Sequence, residues 1–450
     1  MKQDWLEKFA GKAQANTKIP LEFYEKFNVK RGLRNADGTG VLVGLTEIGD
    51  VHGYIMDEGD KIPVEGRLRY RGIDVVDLVR GFQDEKRFGF EETAFLLIFG
   101  SLPHQSELES FRKLIGESRL LPVNFTEDNI LKAPSQDIMN KMARSVLVAY
   151  SYDELAEDYS VTNILRQCVT LIAQLPIFAA YGYQARRHNF YNESLYIHNP
   201  DPELSTAENL LQMIRPDQTY SQLEADLLDL SLVLHAEHGG GNNSAFTVHV
   251  VSSAETDTYS TMAAAIGSLK GAKHGGANIK VMGMMEDIKA NVKDWSSETE
   301  VGNYLKKILN REAYDRSGLI YGIGHAVYTL SDPRAVLLRE RAELLAREKN
   351  HEQEFGLYTL IEKLAPLVFQ EVKNSDKVVS PNVDFFSGFV YSMLNIPFEL
   401  YTPLFAISRI AGWSAHRMEE LISGGRIIRP AYKSIVRPRN YISLDEREND

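Results

Sequence analysis

Apolar residues recur with a helical spacing along most of the chain. Residues 91–99 open with two acidic side chains, continue as an apolar run and end at Gly100, with Pro103 just beyond. This order of charges, apolar positions and helix breakers is typical of one complete helix. The same spacing predicts further helices over residues 105–118, 136–149, 153–181, 222–234, 259–269, 279–290, 298–309, 333–349 and 356–373. The pattern therefore predicts an all-α protein.

Strand-like alternation is confined to two short pieces, residues 40–45 and 67–70, which predict small hairpins at most. The chain has no repeat of fixed period and no low-complexity linker. Composition along the chain therefore marks no domain boundary.

The best-marked helix lies near the C-terminus. Thr402 can cap it, Pro403 suits its first position, and Gly424 and Gly425 can end it. Arg409 falls on the apolar face of this helix, where a charge without a partner is costly. The small residues beside Arg409 leave room for a partner, and a carboxylate of its own chain is the simplest one.

Composition limits what this helical protein can bind. Its 450 residues suit a large domain with a smaller one, or two to three comparable domains. The net charge of -12 offers no basic surface for nucleic acid or an anionic membrane, so a few local cations must hold any anionic ligand. The single cysteine, Cys168, excludes an internal disulfide and is predicted to be a buried thiol. The N-terminus lacks the apolar core of a signal peptide. The apolar run at residues 168–183 is too short and too interrupted by polar residues to span a membrane. We therefore expect a soluble cytoplasmic protein.

Three segments combine histidine with glycine and asparagine where helices should break, namely residues 235–244, 271–278 and 321–327. Glycines beside a histidine let backbone or ligand approach the ring, and histidine exchanges protons near neutral pH. His235 and His238 stand three apart, but no third ligand has a diagnostic spacing, so we predict no metal site. The chain has no Walker loop and no complete dinucleotide fingerprint. Taken alone, each histidine could equally be structural.

Two positions suggest acid–base chemistry. His274 lies just before a helix predicted from about residue 277, and a helix N-terminus disfavours an imidazolium. A neutral ring there can donate a hydrogen bond to a developing oxyanion or enol. Asp384 lies between apolar residues after a Pro–Asn turn, where partial burial would raise its pKa and make it a better general base. The alternative is that Asp384 caps a helix that begins near Phe385.

Together and in this order, the segments are similar to the signature blocks of the citrate synthase family. The likeness is carried by residues 235–242, 273–278, 322–334, 381–384, 404–409 and 429–430, and more weakly by residues 69–72 and 91–103. One block alone is weak evidence, whereas six in order are specific. The resemblance implies an all-α homodimer whose subunits have two domains. A large domain would comprise residues 1–278 and 386–450, and a small domain, residues 279–385, would close over the substrates.

The resemblance also implies an activity. The chain would condense acetyl-CoA with oxaloacetate and hydrolyse citryl-CoA to citrate and CoA, the first step of the tricarboxylic acid cycle. Asp384 would take a proton from the acetyl methyl group, His274 would stabilise the enol, and His325 would polarise and protonate the oxaloacetate carbonyl. Acetyl-CoA is a substrate, and neither a metal nor a cofactor is implied, because histidines and arginines supply the electrostatics.

Further residues are assigned to the substrates by the same resemblance. His238 would bind oxaloacetate, and Arg334, Arg409 and Arg429 would hold its carboxylates, with Arg429 reaching in from the partner subunit. Bidentate arginine is the expected clamp for a dicarboxylate. Arg409 thereby gains a role that its helix alone does not explain.

The chain departs from some family members just after His325. Residues 326–330 read Ala-Val-Tyr-Thr-Leu, where those members carry basic residues that meet the CoA phosphates. Arg31 is the candidate for a CoA contact by its position in the chain.

Two other functions stay open. A 2-methylcitrate synthase shares the fold and catalytic groups but takes propionyl-CoA, and one methylene in an apolar pocket changes discrimination by only about 1–3 kcal/mol. The alternative of another class is a catalytically silent paralogue that binds CoA or builds an assembly. The intact set of His274, His325 and Asp384 argues against that paralogue.

Overall fold

A computed structural model describes residues 2–35, 37–58, 60–374 and 378–447 of the chain. Helix accounts for 58% of the chain and strand for 6%, which confirms the all-α class. The helices are α1 (Lys2–Thr17), α2 (Glu22–Lys26), α3 (Val75–Asp84), α4 (Phe90–Phe99), α5 (Gln105–Glu117), α6 (Ile138–Tyr150), α7 (Val161–Tyr191), α8 (Thr206–Ile214), α9 (Gln222–His235), α10 (Asn243–Ser252), α11 (Thr258–Lys270), α12 (Ala277–Asn291), α13 (Glu298–Leu309), α14 (Pro333–Glu348), α15 (Glu352–Lys373), α16 (Val383–Met393) and α17 (Tyr401–Ile422).

One small antiparallel sheet lies near the N-terminus. Its strands are β1 (Gly49–Asp57), β2 (Asp60–Tyr70) and β3 (Ile73–Asp74), in that order across the sheet. The strand predicted at 67–70 is confirmed as the end of β2. The strand predicted at 40–45 is wrong, since only Gly40 forms a bridge, with Arg34. Leu42 and Leu45 are 87% and 90% exposed, so the alternation there covers no core.

Helix α17 is the axis of the protein and packs against α4, α7, α9, α10 and α11. It begins at Tyr401, so the predicted capping role of Thr402 is wrong. The hydroxyl of Thr402 instead donates to the carbonyl oxygen of Gly275, at 3.3 Å. This contact joins the axial helix to the turn that carries His274.

Helix α7 begins later and ends later than predicted. Ser160 caps it by accepting a hydrogen bond from the N–H of Asn163, and the preceding residues form turns. It is long and apolar enough to cross a membrane, and 83% of its most apolar window is buried inside the protein. The helix is therefore not too short to span a membrane, contrary to what the sequence had suggested. Its apolar side chains are explained by burial inside the protein. Cys168, within this helix, is buried as predicted.

Helices α12 to α16 pack mainly on one another and meet the axial part of the fold through α9 and α17. The predicted helix 298–309 coincides with α13, and the other predicted helices in this part differ from the observed ones by up to four residues. The division into domains at residues 279 and 385 stays a prediction.

Gly412 lets α17 approach the chain that follows α9. An added Cβ would lie 2.4 Å from the carbonyl oxygen of Ala236 and 2.4 Å from Oε2 of Glu237. We expect Gly412→Ala to lower the free energy of unfolding by about 1–3 kcal/mol, because backbone must move to admit the methyl group. Denaturant titration measures this change.

The matched control is Gly81→Ala. Gly81 lies in α3 with nothing within 4 Å of an added Cβ, so alanine should be neutral or stabilising by up to about 1 kcal/mol there. Equal stabilities of the two variants would contradict the close approach at Gly412.

Candidate active site

The first histidine loop follows α9, which ends at His235. The backbone turns through Gly239, whose φ of +84° lies in the left-handed region that favours glycine. Glu237 accepts a hydrogen bond from the N–H of Gly239 and ties this turn together. His238 is thereby held with its Nε2 buried and without a hydrogen-bond partner among the described residues. Burial, reinforced by the charge of Arg334, holds the pKa of His238 well below its usual range, so the ring is neutral.

His274 lies in the turn between α11 and α12. At Gly275 an added Cβ would lie 2.5 Å from a backbone carbonyl oxygen of α11, so the turn requires glycine. Nε2 of His274 lies 3.1 Å from Oγ of Ser244, and that hydroxyl accepts a hydrogen bond from Nε1 of Trp413 at 3.1 Å. Burial, together with the charge of Arg409, lowers the pKa of His274 to about 4. The ring is neutral as expected, but burial rather than the helix N-terminus is the main cause.

His325 lies in the loop before α14. Its Nδ1 accepts hydrogen bonds from the backbone N–H groups of Val327 and Tyr328, both at 3.1 Å. A ring nitrogen that accepts hydrogen bonds carries no proton, so the neutral imidazole holds its proton on Nε2. Burial, with the charge of Arg334, lowers the pKa of His325 to about 4 and keeps this ring neutral.

Asp384 lies in the first turn of α16. The helix cap is Asn382, whose side chain accepts a hydrogen bond from the N–H of Asp384 at 3.0 Å. The alternative in which Asp384 caps the helix is therefore wrong, and its carboxyl group remains available for chemistry. Burial raises the pKa of Asp384 to about 6, although the charges of Arg334 and Arg409 oppose this.

An antiparallel bridge between Ile323 and Pro381 joins the loop of His325 to the segment of Asp384. The side chain of Asn382 adds a hydrogen bond to the carbonyl oxygen of Gly324, at 2.9 Å. These bonds fix the backbone beside one titratable group relative to the backbone beside the other.

The two buried arginines differ in their partners. Arg334, at the start of α14, pairs with the buried carboxylate of Asp332 at 2.8 Å. Arg409, fully buried on α17, donates from Nε to the carbonyl oxygen of His235 at 2.6 Å. Its Nη1 and Nη2 have no partner among the described residues, and no described carboxylate forms an ion pair with it. The expected ion pair within the chain is therefore wrong, and Arg409 keeps two donors for an anion.

One cavity of about 700 Å³ collects these groups. The predicted site residues that line it are His238, His274, His325, Arg334, Asp384 and Arg409. Two others lie outside the lining. Arg429 is exposed in the segment after α17, and Arg31 is exposed with its guanidinium 5.6 Å from the centre of the Tyr24 ring.

Three cations that the sequence did not single out line the same cavity, namely Arg34, Lys61 and Lys273. Arg34 lies three positions beyond the predicted Arg31, and Lys273 directly precedes His274. Their position next to a predicted site residue was the only sequence feature that could have identified them as cavity residues. Lys61 lies on the β-hairpin, where no motif marks it. The cavity therefore joins neutral histidines and one carboxyl group to a cationic rim.

Within the described part of the chain, one group of side chains could hold a metal ion, formed by His249, His416 and Glu419. It contains neither His235 nor His238, the pair weighed from the sequence. None of its three members lines the cavity.

The chain is similar to known proteins over most of its length. Residues 35–431 match a family model described as citrate synthase, C-terminal domain. The citrate synthase of Haloferax volcanii is 33% identical over 430 residues, which cover 93% of this chain and 99% of that protein. The 2-methylcitrate synthase of Shewanella oneidensis is 31% identical over 386 residues, covering 84% of this chain and 92% of that protein. The crystal structure of citrate synthase from Pyrobaculum aerophilum is similar with a TM-score of 0.74 and 29% identity, covering 90% of this chain and 94% of that one.

The raised pKa of Asp384 implies a stability cost at neutral pH. The folded protein binds this proton more tightly than the unfolded chain, so stability is lost as pH rises from about 4 through about 6. We expect Asp384→Asn to be more stable than the parent by up to about 3 kcal/mol at alkaline pH and equally stable at acid pH. Unfolding by denaturant at several pH values measures the difference. The exposed Asp57→Asn serves as the control, and a difference independent of pH would contradict the assignment.

Proposed function

The chain belongs to the citrate synthase family of acyltransferases, and we propose that it condenses acetyl-CoA with oxaloacetate and hydrolyses the resulting citryl-CoA to citrate and CoA. The observation that carries this proposal is one cavity with a carboxyl group of raised pKa, two neutral histidines at its proposed catalytic positions, and a buried arginine without an ion-pair partner among the described residues. Each group suits one step of a carbon–carbon condensation.

The first step is removal of a proton from the acetyl methyl group. Asp384 is the base, since its raised pKa strengthens its hold on the abstracted proton. His274 stabilises the enol oxygen by donating a hydrogen bond as a neutral imidazole. The Ser244 hydroxyl has one proton and two neighbouring acceptors, Nε2 of His274 at 3.1 Å and Oδ1 of Asn242 at 2.9 Å. In the proposed mechanism it donates to Nε2, so that the remaining ring proton of His274 sits on Nδ1 and is available to the substrate.

The second step joins the enol carbon to the carbonyl carbon of oxaloacetate. His325 donates from Nε2–H to the carbonyl oxygen and then transfers its proton as negative charge develops there. The two backbone donors at Nδ1 support this role because they exclude the other tautomer. Water then cleaves the citryl thioester and releases CoA.

Oxaloacetate is held by its two carboxylates. Arg409 offers Nη1 and Nη2, His238 offers its unpartnered Nε2, and Arg334 adds a second positive side chain at the same cavity. Because Arg334 is already paired with Asp332, the unpaired Arg409 contributes the larger share of the binding energy. Arg429 of the partner subunit supplies the fourth contact in this proposal.

A homodimer is supported by the chain after α17. Residues 424–447 lack regular helix or strand except for a short 3-10 turn, and they carry exposed apolar side chains that a second subunit would cover. Tyr432 is 96% exposed and Tyr441 is 84% exposed. Such an arm can carry Arg429 across a twofold axis into the other subunit's cavity.

The CoA phosphates meet the cationic rim of the cavity. Arg34, Lys61 and Lys273 line it and replace the basic residues that are absent after His325, whereas Arg31 lies outside the lining. The proposal includes no cofactor, because neutral donors and arginines stabilise the developing charge. A cytoplasmic location is proposed as well, in keeping with a lone buried thiol at Cys168.

A second candidate is 2-methylcitrate synthesis from propionyl-CoA. This candidate is supported by the 31% identity to a 2-methylcitrate synthase, which extends over most of both chains. The two acyl groups differ by one methylene, which an apolar pocket distinguishes by only about 1–3 kcal/mol.

Release of the CoA thiol in the presence of oxaloacetate separates these functions. We expect faster release with acetyl-CoA than with propionyl-CoA and none without oxaloacetate. A propionyl preference would move the function to 2-methylcitrate synthesis, and no release from either would favour a silent paralogue.

Asp384→Asn should lower kcat by at least about a hundredfold. The kcat/KM of the parent should fall as pH drops below about 6, where Asp384 gains a proton.

Mixing two inactive variants tests the contribution of Arg429 from the partner. Arg409→Ala and Arg429→Ala each break both sites of their own homodimer. In a mixed dimer one site regains both arginines if Arg429 acts across the interface, so an equal mixture should recover about a quarter of the parent activity after subunit exchange. If Arg429 acts within its own subunit, every site stays broken and no activity returns.

A further inference from the structure

Glu237 is a buried carboxylate that lies beside Arg409 without pairing with it. Its side chain is fully buried, and its Oε2 lies 3.1 Å from Nε2 of His416. The carboxylate passes directly over Gly412, where an added Cβ would lie 2.4 Å from Oε2. Gly412 stands between Arg409 and His416 on α17, and these two residues are seven positions, or about two turns, apart. Glu237 therefore lies between two cationic groups on one face of the helix.

His416 has acceptors on both sides of its ring. Nδ1 lies 3.0 Å from Nε2 of His249 and 3.9 Å from a carboxylate oxygen of Glu419. His249 in turn donates from Nδ1 to Glu420, at 2.7 Å. The short contact between the two rings needs a proton on one of the two nitrogens that it joins.

Two carboxylates favour the charged form of His416. Nε2 of the ring lies 3.1 Å from Oε2 of Glu237, and Nδ1 lies 3.9 Å from Oε2 of Glu419. Burial acts to lower the pKa of His416, but Glu237 and Glu419 outweigh it and raise the pKa to about 9. The buried carboxylate of Glu237 thus has a cationic partner that is not Arg409.

We propose that His416 is a positioning residue that holds Glu237 away from Arg409 and so keeps the guanidinium of Arg409 available to a substrate carboxylate. The inference rests on the proposed role of Arg409 in binding oxaloacetate. A buried carboxylate without a cation is strongly disfavoured. If His416 loses its charge, Arg409 is the nearest remaining cation for Glu237, and oxaloacetate must then displace an ion pair that the native site avoids.

The effect should appear in oxaloacetate binding rather than in the chemical steps. The charged and titratable groups around His416 are Glu237, Glu419, Glu420, His249 and Arg409. Among them, Arg409 alone lines the cavity. His274, His325 and Asp384 form no hydrogen bond or ion pair with Glu237, His416 or the other members of this cluster in the described structure, so kcat and the KM for acetyl-CoA should change much less than the KM for oxaloacetate.

A double-mutant cycle on the full dimer tests the proposal. His416→Gln should raise the KM for oxaloacetate by at least about fivefold with kcat nearly unchanged. Glu237→Gln removes the competing carboxylate while keeping an acceptor for the N–H of Gly239. Adding Glu237→Gln to His416→Gln should therefore restore the KM to within about twofold of Glu237→Gln alone.

A pH profile provides a second measurement that does not depend on the folding of His416→Gln. As pH rises through about 9, the parent should lose oxaloacetate affinity because His416 releases its proton. Glu237→Gln should lack this loss, since no carboxylate remains to capture Arg409. A chelator should leave the KM of the parent unchanged.

Three results would overturn the proposal. The first is a double variant no better than His416→Gln, which would make His416 a packing residue only. The second is an alkaline loss of affinity that is equal in the parent and in Glu237→Gln. The third is a KM for oxaloacetate that responds to a chelator, since a divalent cation held by His249, His416 and Glu419 would then take the place of the ring protons of His416.

Failure of the proposed function would look different. If Arg409→Met bound oxaloacetate as the parent does, the proposed role of Arg409 itself would fail, and the cycle would show no coupling.

Discussion

The site depends on a buried guanidinium that has no counterion among the described residues. Arg409 is fully buried, yet within that part of the chain only its Nε has an acceptor, the carbonyl oxygen of His235. Such a charge is tolerated only where the surroundings are fixed in advance, because a mobile carboxylate would neutralise it. The ring of Phe405, 4.7 Å from the guanidinium carbon, covers one side without competing for its donors. The interior thus leaves Nη1 and Nη2 of Arg409 as donors for an anionic group.

Around that charge, the proposed site residues lie where helices end. His238 follows α9, His274 precedes α12, and Asp384 begins α16, so rigid elements hold each side chain at its terminus. Burial is the main cause of their protonation states, since it keeps His274 neutral and, together with the charge of Asp332, makes Asp384 a weak acid. Helix ends supply position, and desolvation supplies the acid–base properties.

Much of this arrangement could be predicted from local sequence. Glycines beside His274 and His325 mark the turns, and the Pro–Asn step marks the start of α16. The interpretation of Asp384 as a cap was wrong because Asn382, two residues earlier, competes for the same role. The partners of Glu237 could not be predicted, since His416 is 179 positions away and only the packing of α17 on α9 brings them together. Arg31 was chosen as the candidate for a CoA contact by its position in the chain, whereas the path of an irregular segment decides which side chain faces the cavity.

The bridge between Ile323 and Pro381 has a mechanical consequence. His325 and Asp384 belong to segments joined by backbone hydrogen bonds, whereas His274 and Arg409 belong to the axial part of the fold. The proposed acid, His325, and the proposed base, Asp384, would therefore move together during any opening of the cavity. Such an opening would alter their distances to His274 and Arg409, but not the spacing of their backbone segments. Substrate entry would then change one relative position, and a single movement could separate and restore the proposed catalytic arrangement.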